Sequence, residues 1–155
     1  MRGPAHRSRP ARPDAGMPLR HLMLGLALCA GLQPVAAQDH AAPADSLIAL
    51  LGRLPADTHK VYVHRDIAYY LREAHPDTAM YHARRGEALA AGLDFVAGRI
   101  DNIFQQAFIW EELDRHDSAR AALQRALVLA RATHDHPRAG KVLLSLGASY
   151  YFQIG

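Results

Sequence analysis

Cysteine is almost absent from this chain of 155 residues, and so are the residue patterns of known catalytic centres. Its one cysteine, Cys29, cannot form a disulfide within the chain and cannot by itself supply a zinc-thiolate centre. The sequence also has no Gly-rich phosphate loop, no nucleophile elbow and no zinc-protease helix. We therefore expect neither enzymatic activity nor a bound cofactor or metal within these residues.

An excess of one charge is also missing once the N-terminus is set aside. The whole chain has a net charge of +3, from 18 lysines and arginines against 15 acidic residues. Residues 1–37 contain five arginines and one acidic residue, which leaves 13 basic and 14 acidic residues after them. A nearly neutral body without a stripe of Lys and Arg lacks the electrostatic footprint of a phosphate-binding surface. We therefore expect no nucleic-acid partner.

The N-terminus has the pattern of an export signal. Leu22–Leu32 is an apolar run of eleven residues, with Arg20 before it and small residues up to Ala37 after it. A helix needs roughly 20 apolar residues to span a bilayer, so the run favours a cleaved signal peptide over a retained membrane helix. We expect residues 1–37 to be the signal peptide and the protein to be exported, into a bacterial periplasm.

Two details of this segment leave alternatives open. Translation starts either at Met1 or at Met17, which would give a signal of more ordinary length. Cys29 is either an apolar residue within the signal, which the bulky Leu28 before it favours, or the lipid acceptor of a lipoprotein. Cleavage after Ala37 leaves a mature chain without a thiol, which is compatible with an oxidising compartment.

The strongest pattern in the chain is an internal repeat. Similar segments recur at a constant spacing of about 40 residues, which we call the repeat offset. Asp66–Tyr70 followed by Pro76–Ala79 aligns with Gln106–Trp110 followed by His116–Ala119, and Leu146–Tyr150 begins a third copy. A constant period of about 40 residues indicates stacked units that bury their apolar faces against one another. The predicted organisation is a linker and short leading helix at 38–56, then repeats at 57–96, 97–136 and 137–155, the last of them incomplete.

Helical periodicity fills these repeats, and no segment alternates as a strand does. Apolar residues recur at i, i+3, i+4 and i+7 from Asp117 to about Thr133 and again from Pro137 to about Gln153. The helix containing Ala79 and Ala83 has small residues at its apolar positions, which lets neighbouring helices approach closely. The predicted fold class is all-α, with antiparallel helix pairs stacked in an α-solenoid that is truncated after about two and a half repeats.

Polar residues at the helix ends predict caps and turns rather than chemistry. His134–His136 is the one cluster that resembles a metal site, but a polar turn is favoured because no further ligands follow at helical spacing. His75 and His116 occupy the equivalent turn of two repeats, which predicts capping in both. Asp45 is expected to cap the leading helix. The adjacent Glu111-Glu112 pair predicts a solvated edge, because neighbouring residues of a helix point in different directions.

Small and aromatic residues occupy fixed positions in the predicted helix pairs. They are Leu146, Gly147 and Tyr150 in a first helix, Ala107 and Trp110 in the first helix of the middle repeat, and Ala119, Leu123 and Ala126 in a second helix. This pattern resembles the tetratricopeptide repeat family. The repeat offset is longer than the family's usual period of about 34 residues, so the resemblance is to the long-repeat form found in bacterial signalling and regulatory proteins.

The resemblance implies a concave groove, lined by successive first helices, that captures a peptide or a helix of a partner protein. The groove positions that it implies are His64, Ala68, Leu71, Arg72, Asp101, Phe104, Phe108, Glu112, Lys141, Leu144 and Tyr151. Phe104 and Phe108 lie one helical turn apart and are either an aromatic anchor for the partner or part of the core. The function expected from the resemblance is an exported protein-interaction scaffold.

The same resemblance supports a second hypothesis. Exported repeats of this kind often precede output modules, so the chain would be the periplasmic sensor region of a truncated membrane-bound protein, either a histidine kinase or a transcriptional regulator. Contact with a membrane is expected only if a missing C-terminal segment supplies the anchor. A third hypothesis, a secreted ligand- or metal-binding protein, would require specific stabilisation by a metal.

Overall fold

The computed structural model describes residues 41–151, which form six α-helices and, within that range, no strand. The helices are α1 (Ala41–Leu51), α2 (Thr58–Leu71), α3 (Pro76–Gly92), α4 (Val96–Glu112), α5 (His116–Ala132) and α6 (His136–Tyr151). The predicted all-α class is confirmed. The signal peptide, its cleavage point, the alternative start residues and Cys29 lie outside the described residues, so those predictions stay predictions. Within residues 41–151, every helix is too short or too polar to cross a membrane.

The backbone repeats at half the period of the sequence. Helices α3 to α6 begin at Pro76, Val96, His116 and His136, and three-residue connections separate them. The middle residue of each connection has a positive φ, which is 51° at Asp94 and 55° at Asp114 and His134. The next amide donates to the carbonyl five residues before it, at 2.8 to 2.9 Å. These bonds close each helix with a Schellman motif.

Each helix packs against the next, and α2 also packs against α4. Three-residue connections make neighbouring helices run in opposite directions. The small residues of α3 and α5 permit this packing, since Ala83 of α3 and Ala126 of α5 are fully buried. One core cluster joins α4, α5 and α6 around Ile103, and a second lies around Ile67 and includes residues of α1 to α4.

Several predictions about helix ends are wrong. Asp45 does not cap α1, because the helix begins four residues earlier, within the stretch expected to be a linker. Within the described residues, His75 makes no side-chain cap, and the ring of His116 is bonded to Glu111 instead. His136 is the first residue of α6 and not part of the turn. The side-chain cap of α2 is Asp57, whose Oδ1 accepts from the amide of Lys60 at 3.0 Å.

Candidate partner-binding surface

Six side chains, from α2 and the residue that follows it and from α4 and α6, form a connected surface, which we call the first-helix face: Tyr69, Arg72, Phe104, Phe108, Glu112 and Lys141. Arg72 joins α2 to α4. Its guanidinium carbon lies 4.8 Å from the ring centroid of Tyr69 and 5.6 Å from that of Phe108. Its Nε lies 3.6 Å from Glu112 Oε1. These contacts place five predicted groove residues, together with Tyr69, on one surface.

The aromatic part of this face extends from α4 to α6. The rings of Phe104 and Phe108 meet edge to face, with centroids 4.8 Å apart. Lys141 Nζ lies 4.4 Å from the ring centroid of Phe104. The π face of the ring attracts the ammonium group. Phe104 is only 4% exposed and belongs to the core, whereas Phe108 is half-buried. Of the two alternatives for this pair, the core role therefore applies to Phe104, and Phe108 is accessible to a partner.

Asp101 is engaged within the protein. Arg138 of α6 donates from Nε and Nη2 to the two carboxylate oxygens of Asp101, at 2.8 Å each. Its Nη1 also donates to Asp135 at 2.8 Å. The hydrogen bond to Asp101 raises the pKa of Arg138, and the hydrogen bonds from Arg138 lower the pKa of Asp135. This two-pronged ion pair fixes α6 against α4 and leaves Asp101 with little of its side chain exposed.

His64 is buried against α3, and Tyr151 is exposed at the end of α6. His64 is 5% exposed, and its Nδ1 lies 3.1 Å from Nδ1 of the similarly buried His82 in α3. One ring must donate and the other accept, so the accepting imidazole is neutral. Burial, followed by the charge of His82, lowers the pKa of His64 to about 4, and burial lowers the pKa of His82. Tyr151 is 75% exposed at the end of α6.

The remaining positions implied by the resemblance divide in the same way. Ala68 and Leu71 of α2 are buried core residues, at 0% and 5% exposure, and Leu144 of α6 is 78% exposed. Exposure therefore separates the positions that belong to the packing of the helices from those that a partner can reach.

A cleft of about 230 Å³ opens beside Phe108, where α4, α5 and α6 meet. We call it the α4–α6 cleft. Its lining residues are Ala107, Phe108, Glu111, Leu123, Ser145, Ala148 and Ser149. The walls are mainly apolar, with two hydroxyl groups and one carboxylate. No pattern in the sequence indicates this cleft, although the repeat offset relates its lining residues to other residues of the same chain.

Glu111 is the polar centre of the cleft. Ser149 Oγ donates to Glu111 Oε1 at 2.7 Å, and His116 Nδ1 donates to Oε2 at 2.7 Å. Glu111 is therefore engaged within the protein, whereas Glu112, the other member of the pair predicted to form a solvated edge, is exposed. Serine and histidine each bond to the carboxylate rather than to each other, so the arrangement differs from the relay of a serine hydrolase, in which histidine is central. Its effect is to connect α4, α5 and α6.

The other candidate for chemistry was the turn at His134–His136. The two imidazole centroids there are 6.4 Å apart, and the carboxylate between them in sequence is bonded to Arg138. Among residues 41–151, no group of three or more His, Cys, Asp or Glu side chains is arranged to hold a metal ion.

Comparison with known proteins adds no further constraint. No family model matches this chain, and no curated protein matches it either. The resemblance to tetratricopeptide repeats thus depends on the residues of the chain itself.

Proposed function

We propose that the chain is a helical-repeat scaffold of the tetratricopeptide type, in which α2, α4 and α6 line a groove for a peptide or a helix of a partner protein. The observation that carries this proposal is the continuity of the first-helix face. Contacts lead from Tyr69 through Arg72 and Phe108 to Phe104 and Lys141, across three helices. The order of helix contacts, each with the next and α2 with α4, is compatible with an α-solenoid.

The chemistry of the face suits a protein partner. Tyr69 is 49% exposed and Phe108 is half-buried, so both present aromatic surface that a partner would cover. The pair of Arg72 and Glu112 is loose at 3.6 Å. A loose, partly exposed ion pair contributes little to stability, so Glu112, whose side chain is 39% exposed, can exchange its neighbour for a charge on the partner at small cost. Tyrosine and arginine, which Tyr69 and Arg72 supply here, are enriched among the residues that dominate binding energy.

The test is partner capture by the full chain with matched variants. We expect the double variant Arg72→Ala with Phe108→Ala to lose the protein that the wild type retains. The control is Arg131→Ala, which removes an exposed arginine of α5 outside the first-helix face. The captured protein is then purified and its affinity measured directly, and circular dichroism confirms that helicity is preserved. Equal affinity for the wild type and the double variant would refute the groove assignment.

Phe108→Ala alone is a weaker test, because the ring also packs against the core residue Phe104. Loss of capture in that variant could reflect a loosened core. Arg72→Ala removes no buried apolar ring, so its effect on affinity reports the groove more directly. If Arg72→Ala and the double variant both lower the affinity for the partner, the loss reflects binding and not a loosened core.

A further inference from the structure

The α4–α6 cleft lies where the repeat departs from its own pattern. At the repeat offset, Ser145, Ala148 and Ser149 of α6 correspond to Gln105, Phe108 and Ile109 of α4. Each of the three is smaller in α6 than in α4. Ile109 fills the junction with α2 and α3, since it is 0% exposed in the cluster around Ile67. The Phe108 ring packs against Phe104 and lies beside the guanidinium of Arg72, the residue that follows α2. The smaller residues of α6 leave the equivalent place open.

The equivalent position in α4 indicates which kind of side chain the α4–α6 cleft can hold. At the repeat offset, α4 has the phenyl ring of Phe108 at the position of Ala148, and this ring lies beside Arg72 at the end of α2. The walls of the cleft offer matching apolar surface from Ala107, Leu123 and Phe108 itself. Of the cleft's polar groups, Ser149 already donates to Glu111. An aromatic ring thus finds apolar contacts there without leaving that buried hydroxyl unpaired.

Two carboxylates give a negative charge to the C-terminal end of α4, beside the cleft. Glu111 lies in the cleft, and Glu112 follows it at the end of α4, with their side chains 30% and 39% exposed. The C-terminus of α4 adds a partial negative charge at the same point. Arg72 lies 3.6 Å from the carboxylate of Glu112 and offsets its charge. A basic residue beside the aromatic one would complement the remaining charge.

We propose that the α4–α6 cleft binds the aromatic side chain of a partner peptide that carries a lysine or arginine next to it. The proposal rests on the proposed function of the first-helix face and specifies what that face recognises. The aromatic ring enters the cleft beside Ala148, whose equivalent one repeat earlier is Phe108. The neighbouring cation lies beside Glu111 and Glu112.

The test uses the full chain and three capped synthetic hexapeptides. The first contains Phe-Lys between glycine and serine residues, the second replaces Phe by Ala, and the third replaces Lys by Glu. Amide chemical shifts of residues 107–111 and 145–149 report binding at peptide concentrations of about 1 mM. We expect only the first peptide to shift these amides strongly, with affinity at least about tenfold higher than that of the second.

Ala148→Phe is the decisive variant, because it gives α6 the residue that α4 has at the equivalent position. We expect it to weaken binding of the Phe-Lys peptide by about tenfold or more, since the ring would occupy the cleft. Ala91→Phe, at an exposed position of α3, is the matched control and should bind as the wild type does. If Ala148→Phe fails to fold, Ser145→Gln restores a second α4 residue and takes its place.

Two outcomes overturn the inference. One is the absence of chemical shift changes in the wild type with the Phe-Lys peptide. The other is equal affinity of the wild type and Ala148→Phe for that peptide. Either result, together with loss of partner capture in the Arg72→Ala variant, would leave the proposed groove standing and remove only the cleft assignment. Equal binding of the Lys and Glu peptides would overturn the requirement for a basic neighbour.

Discussion

Replacing Gly86 by alanine should show how closely α3 and α4 are packed. A Cβ at this position would lie 2.1 Å from Oδ1 and 2.6 Å from Cγ of Asn102. Asn102 has little freedom to move, because it is 0% exposed and its Nδ2 donates to the carbonyl of Gly98 at 2.9 Å. The extra methyl group therefore displaces a buried amide from its hydrogen bond or pushes the two helices apart.

The size of the effect follows from three contributions. Overpacking a core costs about 1 to 3 kcal/mol. Losing the hydrogen bond of Asn102 adds about 1 kcal/mol. Alanine gains about 1 kcal/mol over glycine in the interior of a helix, which offsets part of the loss. We expect Gly86→Ala to lower the free energy of unfolding by about 2 kcal/mol.

The assay is urea unfolding followed by circular dichroism, with Gly147→Ala as the matched control. Within residues 41–151, a Cβ at Gly147 meets no atom within 4 Å, so this variant should gain about 0.5 to 1 kcal/mol from helix propensity. Adding Asn102→Ala to Gly86→Ala removes the clash, and the double variant should be more stable than the sum of the single effects predicts. Equal shifts for the two glycine variants, or simple additivity with Asn102→Ala, would refute the reasoning.

Three further perturbations have expected results. The free energy of unfolding should fall by about 2 to 3 kcal/mol as the pH drops from 6.5 towards 4. Burial and the charge of His82 lower the pKa of His64 to about 4, so in this range only the unfolded chain takes up the proton. Urea melts at several pH values should show a weaker pH dependence for His64→Phe than for the wild type, and an equal dependence would contradict the effect. Asp114→Gly should raise stability by about 0.5 to 1 kcal/mol, since residue 114 has a φ of 55° that suits glycine, and a lowered melting temperature would count against it. Arg138→Ala should cost about 2 kcal/mol by removing both bonds to Asp101, which thermal melts measure against Arg131→Ala.

Helix number and buried positions followed from periodicity, because a period of 3.6 residues decides which side of a helix is covered. Ala79 and Ala83, predicted at the close contacts of α3, are fully buried. The turns were harder to predict. Asp94, Asp114 and His134 have positive φ where glycine is usual, so the sequence shows no glycine to mark the Schellman motifs. The regular spacing of the helix starts was correspondingly missed.

At the candidate site, too, some contacts could be predicted from the sequence and others could not. Arg72 and Glu112 occupy equivalent positions at the repeat offset, and equivalent positions on neighbouring first helices lie close enough to interact. The surroundings of Glu111 were missed because its partners, His116 and Ser149, come from two other helices. No local spacing in the sequence connects these three residues. Contacts of this kind depend on how helices stack and not on the pattern within any one of them.

Ala148→Phe provides a last prediction, because binding and stability should respond to it in opposite directions. Filling an apolar cleft adds contacts and removes exposed apolar surface, so the free energy of unfolding should rise, by about 1 kcal/mol. A junction required only for stacking would gain stability in this way and lose nothing. If the cleft binds an aromatic side chain, the same variant loses affinity for the Phe-Lys peptide. Urea melts and peptide titrations on one preparation measure both quantities. A variant that is more stable and binds equally well would show that the small residues of α6 do not serve recognition.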